Sequence, residues 1–319
     1  MRQLIMVLLI AVCAFILLPF IGPALGLASF QDLAEPAGRS VAVSAGTINV
    51  HDHEGSRRAV ILIHGNPGSA QMMRPLAQAL NSLGYRVVRY DRMGWGHSGQ
   101  RPAHQPANPT AHAQDLIDLV TALEIAHPLY VGYSYGGGVL MEANRMAPAL
   151  VGDLVFLNSV AKRRVRPTSA LERALTSPLV MRWVLGTNWT AEQAATALED
   201  ILMSPETPPE REISELLASL ALPNVPSHWQ REDSERHVEF ETYRPELVQG
   251  CALIVHGDSD QVNPPALAQH LIDSIVGARL AMIAGGGHGM VLTQAQLIAQ
   301  NVDQHAKHCD EISTRRPHS

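Results

Sequence analysis

Ser134 stands at the centre of Gly132-Tyr133-Ser134-Tyr135-Gly136, just after the apolar run Leu129-Tyr130-Val131 and just before Gly137 and Gly138. A strand, a Gly-x-Ser-x-Gly turn and a helix start together make a nucleophile elbow. The turn holds the serine in a strained backbone, so its neighbours two residues away must lack a Cβ. It lifts the hydroxyl above the strand end and turns the Tyr135 amide toward the place where an oxyanion would form. A serine hydroxyl is a poor nucleophile at neutral pH. It needs a base beside it, and the base needs an acid to hold it. Two later loops supply both. His256-Gly257-Asp258-Ser259-Asp260-Gln261-Val262-Asn263-Pro264 offers two carboxylates, and Gly285-Gly286-Gly287-His288-Gly289 offers an imidazole. The chemistry this set can do is acyl transfer through a covalent serine intermediate.

These loops need strand ends to carry them. Gly46–His51 alternates as an early strand, and Ala59–Ile63 is a continuous apolar run of the kind buried on both faces. Met72–Leu83 reads as a helix closed by Gly84, followed by a strand over Tyr85–Tyr90 and a helix over Thr110–Ile125. The elbow strand and its helix come next, then a strand over Leu154–Leu157. The alternation stops between 161 and 248. That stretch reads as several helices, among them 170–185 and 191–203, laid over one end of the sheet. It resumes with a strand at Cys251–Val255, a helix over Pro265–Val276, a strand over Arg279–Ile283 and a helix over Met290–Ala306. The expected architecture is an α/β fold, a mainly parallel, doubly wound sheet with a helical cap insertion. Its segments are a hydrophobic N-terminal helix over 1–29, a linker over 30–39, core over 40–160 and 249–306, the cap over 161–248, and a polar, solvated tail over 307–319. All three reactive loops lie past C-terminal strand ends, where open α/β sheets place their sites.

With those motifs in view, the chain resembles the α/β-hydrolase superfamily, in the chain order serine, acid, histidine. The family's Gly-x-x-Asp-x-x-x-Pro falls on Gly257, Asp260 and Pro264, which implies Asp260 as the acid, with Asp258 as the alternative. The family's Gly-His after the last strand falls on His288. His64-Gly65-Asn66-Pro67-Gly68 matches the His-Gly-x-Pro loop, which implies the Asn66 backbone amide as one oxyanion donor beside that of Tyr135. Asp91-Arg92-x-Gly-x-Gly-x-Ser98 is a further hallmark, read as structural. Dehalogenases and epoxide hydrolases share the loop but place Asp at the elbow, so Ser134 excludes their carboxylate attack. Prolyl iminopeptidases carry Gly where this chain has Asn66. The resemblance therefore implies hydrolysis of small-molecule carboxylic esters with no cofactor and no metal. Lactone, amide or C–C bond hydrolysis, acyl transfer, and a silent binding protein on the same fold stand as alternatives.

Composition sets the surroundings. The chain has 319 residues, 46% of them hydrophobic, and a net charge of −6. There is no basic stripe, which speaks against nucleic acid as a partner. Leu4–Ala28 carries no charged residue and is long enough to span a hydrocarbon core of about 30 Å. It reads as a signal anchor with Arg2 inside, or as a cleaved signal peptide. Both readings put the catalytic body outside the cytoplasm. Of three cysteines, Cys13 lies in that run, while Cys251 and Cys309 are open to pairing, with core packing the expected role of Cys251. His51-Asp52-His53-Glu54 offers too few ligands for a metal. His64, His97 and His256 read as structural hydrogen-bonders. Trp183, Trp189 and Trp229 either pack the insertion or line its pocket, and Met72 and Met73 read as core or pocket wall. Oligomeric state is open.

Overall fold

In the computed structural model, the described residues are 34–161, 177, 180, 205–206, 210–235 and 243–315. Eight strands form one sheet: β1 (Arg39–Val43), β2 (Gly46–His53), β3 (Arg57–Ile63), β4 (Tyr85–Tyr90), β5 (Leu129–Tyr133), β6 (Asp153–Leu157), β7 (Cys251–Gly257) and β8 (Arg279–Ile283). Their spatial order is β1-β2-β4-β3-β5-β6-β7-β8. β1 and β2 join antiparallel at one edge, and every pairing from β4 to β8 is parallel. The helices are α1 (Arg74–Ser82), α2 (Pro109–Ala122), α3 (Tyr135–Met146), α4 (Glu210–Leu220), α5 (Val225–Glu235), α6 (Ala266–Ser274), α7 (Met290–Thr293) and α8 (Ala295–Arg315). Among the described residues, no strand lies between β6 and β7.

The sheet is wound on both faces because its central strands are apolar on both. On β3, Val60 and Leu62 join Leu76 and Leu80 of α1, Ile213 and Leu217 of α4, and Ile298 and Val302 of α8. Ile61 and Ile63 face the opposite way and join Leu116 and Leu119 of α2, Val139 and Leu140 of α3, and Leu271 of α6. Burying each such side chain contributes on the order of 2 kcal/mol. Two-sided burial explains why β3 reads as an unbroken apolar run rather than an alternating one. β8 is an edge strand, and there Leu280 and Met282 are exposed.

Several element boundaries differ from the sequence reading. β1, which the sequence reading did not pick out as a strand, begins on the last residue assigned to the linker, and its pairing with β2 through Val41 and Ile48 buries both side chains. The helix expected from Met72 begins as a 3₁₀ turn, Ala70–Met73, with Pro75 early in α1. The largest correction is at the C-terminus. α8 runs to Arg315, through residues read as a solvated tail. Ile298, Val302, His305 and Cys309 recur at three- and four-residue spacing and are buried on one side of it. The polar residues between them hide that narrow stripe. Cys309 is bonded to Cys251, 58 residues earlier, with Cα atoms 5.8 Å apart, so Cys251 does not serve as simple core packing. His305 lies beside the bridge, and burial pushes its imidazole down to about 4. Among the described residues no helix is long and apolar enough to cross a membrane. The run Leu4–Ala28, the expected helices over 170–185 and 191–203, and Trp183 and Trp189 lie outside the described residues, apart from Ser177 and Val180.

Candidate active site

Ser134 caps α3 at the end of β5, with φ 51° and ψ −117°. A non-glycine residue in that region is strained and persists only where its surroundings over-determine it. Here the Ser134 amide donates to Leu157 O of β6 at 2.9 Å, and Ser134 O accepts from the amides of Gly137 and Val160. The glycines are needed for the close approach. A Cβ on Gly132 would stand 2.6 Å from Gly136 O, and one on Gly136 would stand 2.4 Å from Ile63 O. Gly136 therefore lets the elbow pack directly against the end of β3.

The three loops meet. Ser134 Oγ lies 3.1 Å from His288 Nε2, and His288 Nδ1 lies 2.7 Å from Asp260 Oδ2. All three side chains are buried, Ser134 being 7% exposed, Asp260 2% and His288 4%. The remaining oxygen of Asp260 accepts the amides of Val262 and Asn263 at 2.9 and 2.8 Å. These two backbone donors fix the orientation of the carboxylate. Asp258 does different work. Its Oδ1 accepts from Ser259 Oγ and from the Gly285 amide, on an exposed turn.

Residues outside the motifs hold the histidine loop. Asn158, just after β6, has φ 42° and is wholly buried. Its Nδ2 donates to Gly287 O and His288 O at 2.9 and 3.0 Å, while its Oδ1 accepts the Gly257 amide at 2.9 Å. Asn263 Nδ2 returns a bond to Asn158 O at 2.8 Å. Tyr133 Oη also donates to His288 O, at 3.0 Å, and burial pushes its phenol up, which keeps it a donor. The sequence reading missed Asn158. Its only signal was an amide side chain at a strand end, the same position the reactive groups occupy.

The His64–Asn66 loop runs alongside the serine, since a Cβ on Gly65 would lie 3.1 Å from Ser134 Cβ. Tyr135 opens α3, so its amide lies at the positive end of the helix dipole. His64 is structural, as expected. Its Nδ1 donates to Gly65 O at 2.8 Å and its Nε2 accepts the Arg92 amide at 3.0 Å. Burial holds its imidazole well below the usual range, consistent with that neutral tautomer. His97 bonds Glu35 O, and His256 bonds Asn263 O behind Asp260. In the Asp91 motif, Asp91 accepts from Ala70 N, Asn49 Nδ2 and His97 N, a scaffold role that agrees with the structural reading.

A second polar cluster, which no motif signalled, adjoins this loop. Glu232 of α5 is wholly buried. Its carboxylate takes Arg92 Nη1 on both oxygens at 3.1 and 2.9 Å, Trp95 Nε1 at 2.6 Å and Asn66 Nδ2 at 2.8 Å. His112 Nε2 and His228 Nε2 lie 3.2 and 3.3 Å from the same oxygen, Oε2. Burial opposes its charge, but Arg92 and the two imidazoles hold the carboxyl well below the usual carboxylate range. His112, His228 and Glu232 are close enough to share a cation. Oε2, however, already faces a guanidinium and an indole N–H, and a cation there would sit against Arg92, so the donor set does not suit a metal. Cys251, His305 and Cys309 also converge, but their sulfurs are joined in the disulfide.

A sequence model of the alpha/beta hydrolase family matches residues 60–301. The chain belongs to that family. Among its relatives is the "Putative carbamate hydrolase RutD" of Stutzerimonas stutzeri, 25% identical over 257 residues, covering 80% of this chain and 94% of that protein. Among solved structures, an esterase from Exiguobacterium antarcticum superposes with a TM-score of 0.70 at 21% identity, covering 85% of this chain and 99% of the other. A membrane phospholipase A described as a bacterial virulence factor gives 0.70 at 20% identity, covering 97% and 99%. At these identities the two structures establish a shared alpha/beta hydrolase fold.

Proposed function

We propose that this alpha/beta hydrolase cleaves carboxylic esters through Ser134, His288 and Asp260. The observation that carries the reading is the unbroken chain of contacts from Ser134 Oγ through His288 to Asp260, at 3.1 and 2.7 Å. His288 Nε2 takes the Ser134 proton as Oγ attacks the ester carbonyl. Asp260 orients the ring and stabilises the imidazolium. The amides of Asn66 and Tyr135 bind the developing oxyanion, each worth roughly 3 kcal/mol in comparable sites. The alcohol leaves with the proton from His288. Water then enters, gives its proton to His288 and attacks the acyl-enzyme carbonyl, and Ser134 is reprotonated as the acid departs.

The body works outside the cytoplasm, anchored or exported through Leu4–Ala28. The Cys251–Cys309 disulfide supports this, because such bonds persist in oxidising compartments. Turnover of p-nitrophenyl esters of graded acyl length, set beside lactones and amides, tests the reading. Ester turnover that vanishes in Ser134→Ala is expected. Turnover confined to lactones or amides would contradict it.

A further inference from the structure

Three contacts fix the loop that carries Asn66, and one comes from the insertion. Arg92 holds the first two positions. Its amide donates to the His64 ring at 3.0 Å, and its Nη2 donates to Gly65 O at 2.9 Å. The third position is held by Glu232, whose Oε1 accepts Asn66 Nδ2 at 2.8 Å. The same carboxylate clamps Arg92 by two bonds to Nη1. Glu232 therefore grips the loop twice, directly at Asn66 and indirectly through Arg92.

The burial is informative. Neither the Arg92 nor the Glu232 side chain is exposed at all. A buried ion pair is a poor route to stability, since a well-packed apolar pair would serve as well or better. It is a good route to geometry, because charge-assisted bonds from a planar fork tolerate little misalignment. Trp95 and α5 complete the seat. Trp95 Nε1 donates to Oε2, and Gly94, at φ 87°, lets His228 of α5 approach to where a Cβ would collide with its ring. Docking of α5 and the position of Asn66 are thus set by one carboxylate.

We infer that Glu232 is a positioning residue, which makes the oxyanion-binding loop depend on the insertion helix being seated. This rests on the reading of Asn66 as an oxyanion donor. Without Glu232 the Asn66 side chain loses its anchor and the backbone amide beside it drifts. A displacement of about 1 Å in such a donor costs on the order of 100-fold in rate. Ground-state binding of an ester, which the loop amide touches weakly, changes little.

The test compares Glu232→Gln, Asn66→Ala and the double variant with the full-length wild-type enzyme. Asn66→Ala removes one side-chain bond and keeps the backbone amide, so it decides the matter even where Glu232→Gln fails to fold. Circular dichroism first establishes which variants are folded at assay temperature. Expected is a fall in kcat of about tenfold or more in each folded single variant, with KM within about twofold, slower fluorophosphonate labelling, and a double variant no worse than the poorer single. Wild-type kcat in folded Asn66→Ala would overturn the inference while the serine reading stands. A wild-type protein that does not react with fluorophosphonate at all would sink both.

Discussion

Asn158 Nδ2 donates to the carbonyl oxygen of His288 at 3.0 Å, from the end of a strand that carries no catalytic group. With Gly287 O on the same nitrogen and the Gly257 amide on its Oδ1, this one side chain ties the acid loop to the histidine loop. Asn158→Ala cuts three bonds and leaves buried groups unpaired, a loss of roughly 3 kcal/mol in stability. We expect kcat to fall by about 100-fold, with KM nearly constant, at temperatures where the variant is folded. Parallel denaturation and steady-state measurements check this. Lost stability with wild-type kcat would reduce Asn158 to scaffolding.

The two aspartates of one loop make opposite predictions. Asp260→Asn is expected to lower kcat by about 1,000-fold, since the amide no longer holds His288 in the right tautomer. Asp258→Asn weakens an exposed turn bond to the Gly285 amide. It is expected to leave kcat within about twofold and to cost about 1 kcal/mol or less. Kinetics of the purified pair, side by side, separate them. Inactivity of Asp258→Asn with an active Asp260→Asn would reverse the assignment.

Stability should fall on mild acidification. Burial pushes His305 from 6.5 down to about 4, and it also lowers His64 and His228. A group whose folded value is depressed takes up protons more readily when unfolded. Its stabilisation is therefore complete above about pH 6.5 and is lost as the pH falls toward 4. For His305 alone the full effect is about 3 kcal/mol. Urea denaturation at pH 7.5 and pH 5 measures it, with His305→Gln expected to flatten the slope. An unchanged slope in that variant would remove His305 as a source.

Cys251 and Cys309 close a loop of 58 residues' separation and pin α8 to β7. Replacing both by serine is expected to cost about 4 kcal/mol by the chain-entropy argument. Thermal melts with and without reductant test this, and the wild type should lose stability on reduction while the double variant does not. A melting point indifferent to both changes would contradict a structural bridge.

How far the sequence carried depends on where the information is local. Ser134, Asp260 and His288 sit in short loops with their own glycine and proline signals, and the central strands β3, β5, β6 and β7 announce themselves as apolar runs. Such features need no knowledge of distant contacts. Asn158 and Glu232 gave no such signal, because each matters only for what the fold brings to it from more than 90 residues away. The end of α8 escaped for a related reason. Its polar residues dominate any local average, and the contacts that retain it, the Cys309 bridge and the Arg58–Asp310 pair, come from β7 and β3.

The central claim is that Ser134 is a nucleophile activated by His288. Labelling the intact enzyme with a fluorophosphonate and mapping the adduct by peptide mass spectrometry tests it most directly. The account predicts one adduct, on Ser134, absent in Ser134→Ala and strongly slowed in His288→Ala. A folded wild-type protein that takes no label, or takes it on another serine, would contradict it.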